Sequence, residues 1–281
     1  MEKELLERIL KSPSYRPAIE DPDFLRSDET RGIRLHLDYQ KPESILRRFG
    51  IKRTIVLFGS ARIVQKEEAL KKIAAIEAQL REKRSKELQQ KLQAARSLLR
   101  KSVWYEEARL FGALVGSSGK GPKDNTLILV TGGGPGIMEA GNRGAYEVGA
   151  KSAGFTIQLP KEPFPNPYVT PELCFRFHYF AIRKLHFLRR SCALVVFPGG
   201  YGTLDELFET LTLIQTQKKR KIPVVLVGRE YWRRLIDFDF LVEEGTIDPE
   251  DRELFVYKDG AREAWEYIIK WYRRQGIDLF G

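Results

Sequence analysis

The chain of 281 residues is poor in the side chains that build disulfide frameworks and metal centres, with two cysteines and three histidines. Cys174 and Cys192 offer no metal-ligand spacing, and so few thiols are typical of a reducing compartment. No apolar run approaches the roughly 20 residues that span a bilayer, and the opening Met-Glu-Lys-Glu does not have the pattern of a signal peptide. We therefore expect a soluble, cytoplasmic protein without a metal site or a membrane segment.

Two glycine-rich stretches, residues 132–136 and 198–203, lack the features of the best-known nucleotide motifs. Neither contains the Gly-Lys-Ser or Gly-Lys-Thr of a P-loop. The strand after the first stretch runs into Gln158-Leu-Pro160, without the acidic residue that holds an adenosine ribose in dinucleotide-binding folds. NAD binding and ATP hydrolysis are therefore disfavoured. For the first stretch, a purely structural glycine turn stays open beside phosphate binding.

The net charge of +10 is concentrated in one segment, which has twelve Lys or Arg against five Glu between Arg62 and Lys101. Residues 65–100 contain no Gly or Pro and are rich in good helix formers, so we predict a helical insertion. Two apolar stripes, separated by residues 81–87, leave a helical hairpin and one long helix as alternatives. No aromatic residues stand among the charges to stack on bases. A solvated basic face is therefore the simpler interpretation, and nucleic-acid binding is disfavoured.

Residues 1–50 are interrupted by four prolines: Pro13, Pro17, Pro22 and Pro42. Because proline breaks regular helices and strands, we predict an irregular N-terminal extension with one short helix near Glu4–Lys11. The extension carries no functional motif.

From residue 51 onward, apolar strands alternate with helices. Five strands are predicted, at Arg53–Gly59, Thr126–Thr131, Ser152–Leu159, Cys192–Phe197 and Ile222–Val227. This alternation predicts a Rossmann-like, doubly wound α/β domain over residues 51–281, whose parallel sheet binds ligands beyond the carboxyl ends of its strands. Three turns are expected at that edge, namely Gly59–Arg62, Thr131–Gly136 and Gly199–Thr203.

The strand at Ala193–Phe197 ends at Pro198 and leads through three glycines into a helix. Gly199, Gly200 and Gly202 allow positive φ angles and close approach of a ligand to the backbone. Unpaired amides at the helix N-terminus favour an anion such as phosphate. Thr203-Leu-Asp-Glu206 also fits a capping box, which would turn the Glu206 side chain back toward the glycines.

Upstream of this strand, Arg183 and Lys184 are adjacent in a predicted helix over Tyr179–Ser191. Such pairs usually face solvent. A guanidinium can also bind phosphate or sugar oxygens, or position a carboxylate. Both interpretations stay open from these residues alone.

Taken in order, four motifs resemble the Lonely Guy (LOG) family: Gly59-Ser60, Gly-Gly-Gly-Pro-Gly-Ile-Met at 132–138, Arg183-Lys184, and Pro-Gly-Gly-x-Gly-Thr-x-x-Glu at 198–206. The resemblance covers roughly residues 53–230. Tyr179-Phe-Ala-Ile precedes the Arg-Lys pair where plant members usually have Met-His-x, which is similar to a bacterial branch of the family. Characterised members, often labelled lysine decarboxylases, are phosphoribohydrolases that cleave the N-glycosidic bond of AMP or cytokinin riboside 5′-monophosphates.

The resemblance implies a homodimer or a higher oligomer built of dimers, with active sites near the subunit interface and no cofactor. Arg183 and Glu206 would be the catalytic pair. The Glu206 carboxylate would stabilise positive charge on the ribose, bind the ribose hydroxyls or activate water, and these roles stay open. Arg183 would orient the carboxylate and the sugar, and would lower the pKa of Glu206 to keep it ionised. The nucleotide and its phosphate would be held by Ser60, Gly132, Gly133, Gly134, Lys184, Gly199, Gly200, Gly202 and Thr203. A non-catalytic nucleotide-binding or molybdenum-cofactor carrier protein is the alternative.

Overall fold

The computed structural model describes residues 1–83, 85–157 and 164–281. Its first elements are α1 Glu2–Leu10, α2 Pro22–Arg26, α3 Arg31–Arg48, β1 Arg53–Phe58, α4 Lys66–Glu82, α5 Lys86–Arg100, α6 Val103–Gly116, β2 Leu127–Thr131, α7 Ile137–Glu147 and β3 Ser152–Ile157. They are followed by β4 Cys174–Phe177, α8 Phe180–Arg189, β5 Ser191–Val196, α9 Tyr201–Gln215, β6 Val224–Val227, α10 Arg229–Leu235, α11 Phe238–Glu243, β7 Val256–Lys258 and α12 Ala261–Arg274. The strand end predicted at Gln158-Leu-Pro160 lies outside the described residues.

The described residues form a seven-stranded sheet in the order β4-β3-β2-β1-β5-β6-β7, in which all neighbouring strands are parallel. The strand order runs outward on one side from β1 to β4 and on the other from β5 to β7. The reversal lies between β1 and β5, where Val56 pairs with Leu194 and Phe58 with Val196. Such a reversal leaves a crevice beyond the strand ends. The predicted doubly wound α/β fold is confirmed.

Apolar side chains cover both faces of the sheet, because alternate residues of a strand point to opposite faces. Val56 and Phe58 belong to the apolar cluster that contains Phe187 of α8 and residues of α9. Ile55 and Leu57 belong to the other cluster, which contains residues of α6, α7 and α12. Burial on both faces is the reason that the strands appear in the sequence as unbroken apolar runs.

The N-terminal extension is less irregular than its prolines predict. Its longest element, α3, is an 18-residue helix with Pro42 buried inside it. Pro13 and Pro22 stand at the beginning of short helical turns, where the missing N–H has no partner to lose. Pro42 removes one hydrogen bond within α3, but packing of α3 against α8 keeps this segment helical. The irregular segment predicted from the prolines is therefore wrong at Pro42, whereas between α1 and α3 the helical pieces have at most five residues.

The basic segment is a hairpin, which decides between the two alternatives left open by the sequence. Helices α4 and α5 lie side by side, and Arg96 Nη2 is 3.0 Å from Glu77 Oε1. Ala69 and Ile73 of α4 are buried, whereas no residue of α5 is. Leu98 of α5 is partly buried against the apolar cluster that contains residues of α6, α7 and α12. The hairpin therefore contacts the domain through the beginning of α4 and the end of α5.

The sequence prediction missed β4 and β7, which lie at the edges of the sheet, and helices α10 and α11. Phe175 and Phe177 of β4 are buried and alternate with the exposed Arg176, a period of two that is typical of a strand. Four residues are too few to give a clear pattern in the sequence, so no strand is predicted there.

Candidate functional site

The three turns predicted at the sheet edge are joined by backbone hydrogen bonds. Ser60 N donates to Pro198 O at 3.0 Å, and Ile137 N donates to Ser60 O at 3.1 Å. The Ser60 hydroxyl also accepts the N–H of Arg62 at 3.1 Å. The turn after β1 thus lies between the turns after β2 and β5, and the expectation that the three meet at one edge is confirmed.

These turns surround a cavity of about 810 Å³ at the reversal of strand order. Most of the site residues expected from the sequence line it, namely Ser60, Gly132, Arg183, Gly199, Gly200, Gly202, Thr203 and Glu206. Gly133, Gly134 and Lys184 are not among the described residues that line it.

Gly133 and Gly134 lie in the turn after β2, outside the described cavity lining. Gly133 has a φ of +73°, and its N–H donates to the hydroxyl of Thr131 at 2.9 Å. Asn166 donates its backbone N–H to Gly133 O at 2.8 Å and its side-chain amide to Gly134 O at 3.0 Å. The Gly133 amide is therefore already used within the protein. Asn166 carried no signal in the sequence, because a lone asparagine after a proline-rich stretch belongs to no motif.

The glycine turn after β5 differs from its prediction in its backbone angles. None of Gly199, Gly200 and Gly202 has a positive φ. A side chain at position 199 would clash with Thr203, whereas Gly200 and Gly202 have no neighbouring atom within 4 Å of where a Cβ would stand. Neither backbone strain nor packing accounts for Gly200 and Gly202, which border open cavity space.

The predicted capping box at Thr203 and Glu206 is wrong. Helix α9 begins at Tyr201 with Gly200 as its N-cap, and no side chain caps it. Thr203 is consequently in the first turn of the helix, and Glu206 is in the second, where it cannot reach back to an N-cap amide. The helix extends further toward the glycines than the Thr-x-x-Glu pattern indicates, and its first turn places Thr203 close to Gly199.

Arg183 of α8 reaches the cavity from the β2 side. Its Nε donates to the carbonyl oxygen of Phe155 at 2.7 Å. Its guanidinium carbon lies 5.2 Å from the ring centroid of Phe187 and 6.0 Å from that of Phe180, close enough for cation–π attraction. A Cβ at position 132 would be 2.8 Å from Arg183 Nη2, so Gly132 provides the space in which the guanidinium lies.

Glu206 is a buried carboxylate at the cavity wall, with 6% of its surface exposed. Burial raises its pKa from 4.5 to about 7, against the opposing effects of the Lys184 and Arg183 charges. We expected Arg183 to keep this pKa low. Its effect has the expected sign, but the loss of hydration is larger. Near neutral pH, Glu206 is therefore close to the midpoint of its titration.

Lys184 lies on the side of α8 that faces α9. Its Nζ is 2.6 Å from Asp205 Oδ2, 2.9 Å from Glu209 Oε2 and 3.8 Å from Glu206 Oε1. These ion pairs raise the pKa of Lys184 in spite of its burial. The side chain that we expected to bind substrate is thus occupied by three carboxylates.

Sequence reasoning missed several residues of the cavity wall. Tyr231 of α10 donates its hydroxyl to Gly199 O at 2.6 Å and so holds the glycine turn in place. Leu98 and Lys101, at the end of the basic hairpin, also line the cavity. The sequence has no pattern that distinguishes a tyrosine in a helix that was not predicted, or a lysine at the end of a basic segment, from a surface residue.

The part of the chain that the structure describes contains neither a candidate membrane span nor a candidate metal cluster. No helix among the described residues is long and apolar enough to cross a membrane, and no group of three or more His, Cys, Asp or Glu side chains among them is arranged to hold a metal ion. A cavity at the strand-order reversal of a parallel sheet, lined by glycine turns, is typical of Rossmann-like α/β proteins that bind nucleotides.

Comparison with known proteins identifies the family. The model of a family described as "possible lysine decarboxylase" matches residues 138–268. The probable cytokinin riboside 5′-monophosphate phosphoribohydrolase LOG4 of Oryza sativa is 32% identical over 158 residues, which are 54% of this chain and 67% of that protein. The cytokinin riboside 5′-monophosphate phosphoribohydrolase LOG1 of Arabidopsis thaliana is 42% identical over 83 residues, 29% of this chain and 38% of that protein. The chain belongs to the LOG family.

The extent of these matches is limited. The alignments span 41% and 38% of the length of the first relatives. A solved structure, the molybdenum cofactor binding protein from Rippkaea orientalis, overlaps with a TM-score of 0.45 and 16% identity, over 79% of this chain and 98% of that chain.

Proposed function

We propose that this protein is a nucleoside 5′-monophosphate phosphoribohydrolase, which cleaves the N-glycosidic bond of AMP or of a cytokinin riboside 5′-monophosphate to give free base and ribose 5-phosphate. One observation carries the proposal: a buried carboxylate, Glu206, and a guanidinium, Arg183, line the same cavity as three glycine turns. Membership of a family whose curated members are named as phosphoribohydrolases supports it.

The phosphate end of the substrate is assigned to the glycine turn before α9. Gly200 and Gly202 border open space, so phosphate oxygens can approach the backbone closely. The N-terminus of the 15-residue helix α9 adds a partial positive charge. Binding energy from the phosphate then aligns the rest of the nucleotide for reaction.

The chemical step is assigned to Glu206 and Arg183. Departure of the base builds positive charge on the ribose carbon and ring oxygen, and an ionised carboxylate beside the ring stabilises that transition state more than the ground state. Arg183, fixed by Phe155 O and the Phe187 ring, orients the sugar and the carboxylate. With its pKa raised to about 7, Glu206 is also suited to take a proton from the attacking water.

We further propose that the protein acts as a homodimer or a larger assembly of dimers in the cytoplasm. Tyr201 and Phe180 line the cavity and are 93% and 54% exposed, an exposure of large rings that supports a second subunit covering this edge. The free thiols of Cys174 and Cys192 agree with a reducing compartment. Sedimentation velocity of the purified protein tests the assembly, and a monomer at working concentration would contradict it.

The test of the activity is a screen of nucleoside 5′-monophosphates, including AMP and a cytokinin riboside 5′-monophosphate, for release of free base and ribose 5-phosphate. We expect Glu206→Gln and Arg183→Ala each to lower kcat by a factor on the order of 100 or more, while the exposed control variants Glu244→Gln and Arg233→Ala keep wild-type rates. Binding of nucleotide without base release would favour a carrier. Release unaffected by both site variants would remove this pair from the mechanism.

A further inference from the structure

Lys184 of α8 is half-buried against α9, where acidic groups lie around its ammonium. Its side chain is 17% exposed, and its Nζ lies within 4 Å of carboxylate oxygens of Asp205, Glu206 and Glu209. All three acids belong to α9. One lysine therefore joins α8 to the acidic face of the helix that carries the proposed catalytic glutamate.

The two neighbours on α8 face different surroundings. Consecutive residues of an α-helix are about 100° apart around the axis, so Arg183 lines the cavity while Lys184 faces α9. A lysine that binds phosphate should present its ammonium group to the cavity. The Lys184 ammonium instead meets carboxylates at 2.6 and 2.9 Å, and its contacts with solvent are few.

The acidic groups of α9 oppose ionisation of Glu206. Asp205 and Glu209 lie on its own helix and raise its pKa, as burial does, while Lys184 and Arg183 of α8 lower it, with Lys184 having the larger effect of the two. Like charges close together cannot all remain ionised without a counter-ion. Lys184 is the cation that lies among all three carboxylates.

We propose that Lys184 is a positioning residue, which fixes the Glu206 carboxylate at the cavity wall and holds it in the ionised form that the reaction needs. This inference rests on the proposed function for its catalytic meaning. The arrangement gives the adjacent basic residues separate tasks: Arg183 contacts the substrate, and Lys184 acts on the substrate only through Glu206.

The decisive measurement is the titration of the Glu206 carboxyl by carbon-13 NMR in the protein without substrate, with Glu206→Gln used to assign the signal. In Lys184→Met, the pKa of Glu206 should rise by about one unit or more, the size expected for loss of a close opposite charge. Lys184→Arg should restore most of it. Lys221→Met, at an exposed position, is the control and should leave the titration unchanged.

Kinetics then separate positioning from substrate binding. The acid limb of the kcat/KM profile, which reports the enzyme without substrate, should move to higher pH by the same amount as the NMR titration. A one-unit shift is about a fivefold loss of kcat/KM at pH 7, with little change in KM. A rise in KM with an unchanged Glu206 titration would show that Lys184 binds phosphate and would overturn the proposal. Loss of stability alone, with neither pKa nor pH profile moved, would also overturn it.

A second variant and a readout that does not depend on activity keep the proposal testable. If Lys184→Met does not fold, Asp205→Asn replaces a 63%-exposed side chain, and the pKa of Glu206 should fall because a negative charge is lost and Lys184 keeps only two acidic partners. An unchanged or higher pKa there contradicts the proposal. If the wild type hydrolyses no nucleotide, the proposed function fails, but the NMR titration still decides whether Lys184 controls Glu206.

Discussion

The carboxylate of Asp38 accepts the backbone N–H of Tyr179 at 3.0 Å. Tyr179 is the N-cap of α8, and its own side chain makes no capping hydrogen bond. Asp38 also accepts the N–H of His178 at 3.1 Å. A residue of the N-terminal extension thus caps the helix that carries Arg183 and Lys184, across 141 positions of sequence.

Other residues of α3 contact α8 along the rest of its length. His186 Nε2 donates to Tyr39 O at 3.0 Å, and Glu43 accepts from Arg189 and from Arg190, the latter at 2.8 Å. These contacts hold α8 at its beginning, middle and end. The extension therefore supports the site, although none of residues 1–50 is among the described residues that line the cavity.

Replacing Asp38 tests the cap. Asp38→Ala should lower the free energy of unfolding by about 1 kcal/mol, the usual cost of losing a helix cap, and should lower kcat because Arg183 is held less firmly. Asp38→Asn should recover most of both, since an amide oxygen also accepts these hydrogen bonds. Urea unfolding and steady-state kinetics give the measurements, with the exposed Asp28→Ala as control. Equal effects of the alanine and asparagine variants would contradict the capping role.

Replacing Glu43 tests the ion pairs at the end of α8. The side chain is 3% exposed, and the hydrogen bond from Arg190 is the largest cause that lowers its pKa from 4.5 to about 2. A carboxyl group whose pKa is lowered on folding stabilises the protein above pH 4.5, and this contribution is lost as the pH falls from 4.5 toward 2. Glu43→Gln should therefore cost about 3 kcal/mol at pH 7 and progressively less at acid pH.

Urea unfolding of wild type and Glu43→Gln between pH 3 and pH 7 measures this dependence. Glu7→Gln, which removes an exposed carboxylate 3.9 Å from Lys11, is the matched control and should show no such trend. A difference between Glu43→Gln and wild type that stays the same at every pH would mean that the ion pairs are not its source.

The parallel sheet and the meeting of its three turns could be predicted from the sequence, because both depend on local patterns. Unbroken apolar strands such as Ala193–Phe197 indicate burial on both faces, and glycines at strand ends indicate where a ligand approaches the backbone. The capping box at Thr203 and Glu206 was also predicted from a local pattern, but that prediction is wrong. A four-residue pattern records only a local preference, and the helix begins two residues before Thr203, at Tyr201.

The environment of each charged group could not be predicted in this way. Arg183 and Lys184 look equivalent in sequence. Only the position of α8 beside α9 shows that Arg183 lines the cavity and that Lys184 forms ion pairs with α9. Asp38 is distant from α8 along the chain, so no spacing rule connects them. The pKa of Glu206 depends on the balance between burial and neighbouring charges, and neither is visible until the helices are in place.

Replacing glycines of the turn before α9 tests the assignment of the phosphate end. Gly200→Ala should fold normally, because no atom lies within 4 Å of the new methyl group, but should weaken binding of AMP by about tenfold since the methyl group occupies the space of the phosphate. Gly199→Ala should instead lower stability, because its methyl group clashes with Thr203. Calorimetric titration and thermal unfolding distinguish the two outcomes. Normal AMP affinity in Gly200→Ala would place the phosphate elsewhere.

Replacing Glu206 tests whether burial of its carboxylate lowers the free energy of unfolding. The pKa of Glu206 is raised from 4.5 to about 7 by burial, so the protonated form is favoured in the folded protein. Its contribution to stability is fully present below pH 4.5 and is lost as the pH rises through 7. Between these limits the wild type should lose about 3 kcal/mol that Glu206→Gln, having no charge to bury, does not lose. Thermal or urea unfolding of both proteins from pH 4 to pH 8 measures the difference, with Glu244→Gln as the exposed control. Glu206→Gln should thus become the more stable protein at alkaline pH. If stability depends on pH in the same way in both proteins, the Glu206 carboxylate is solvated and not buried at the cavity wall.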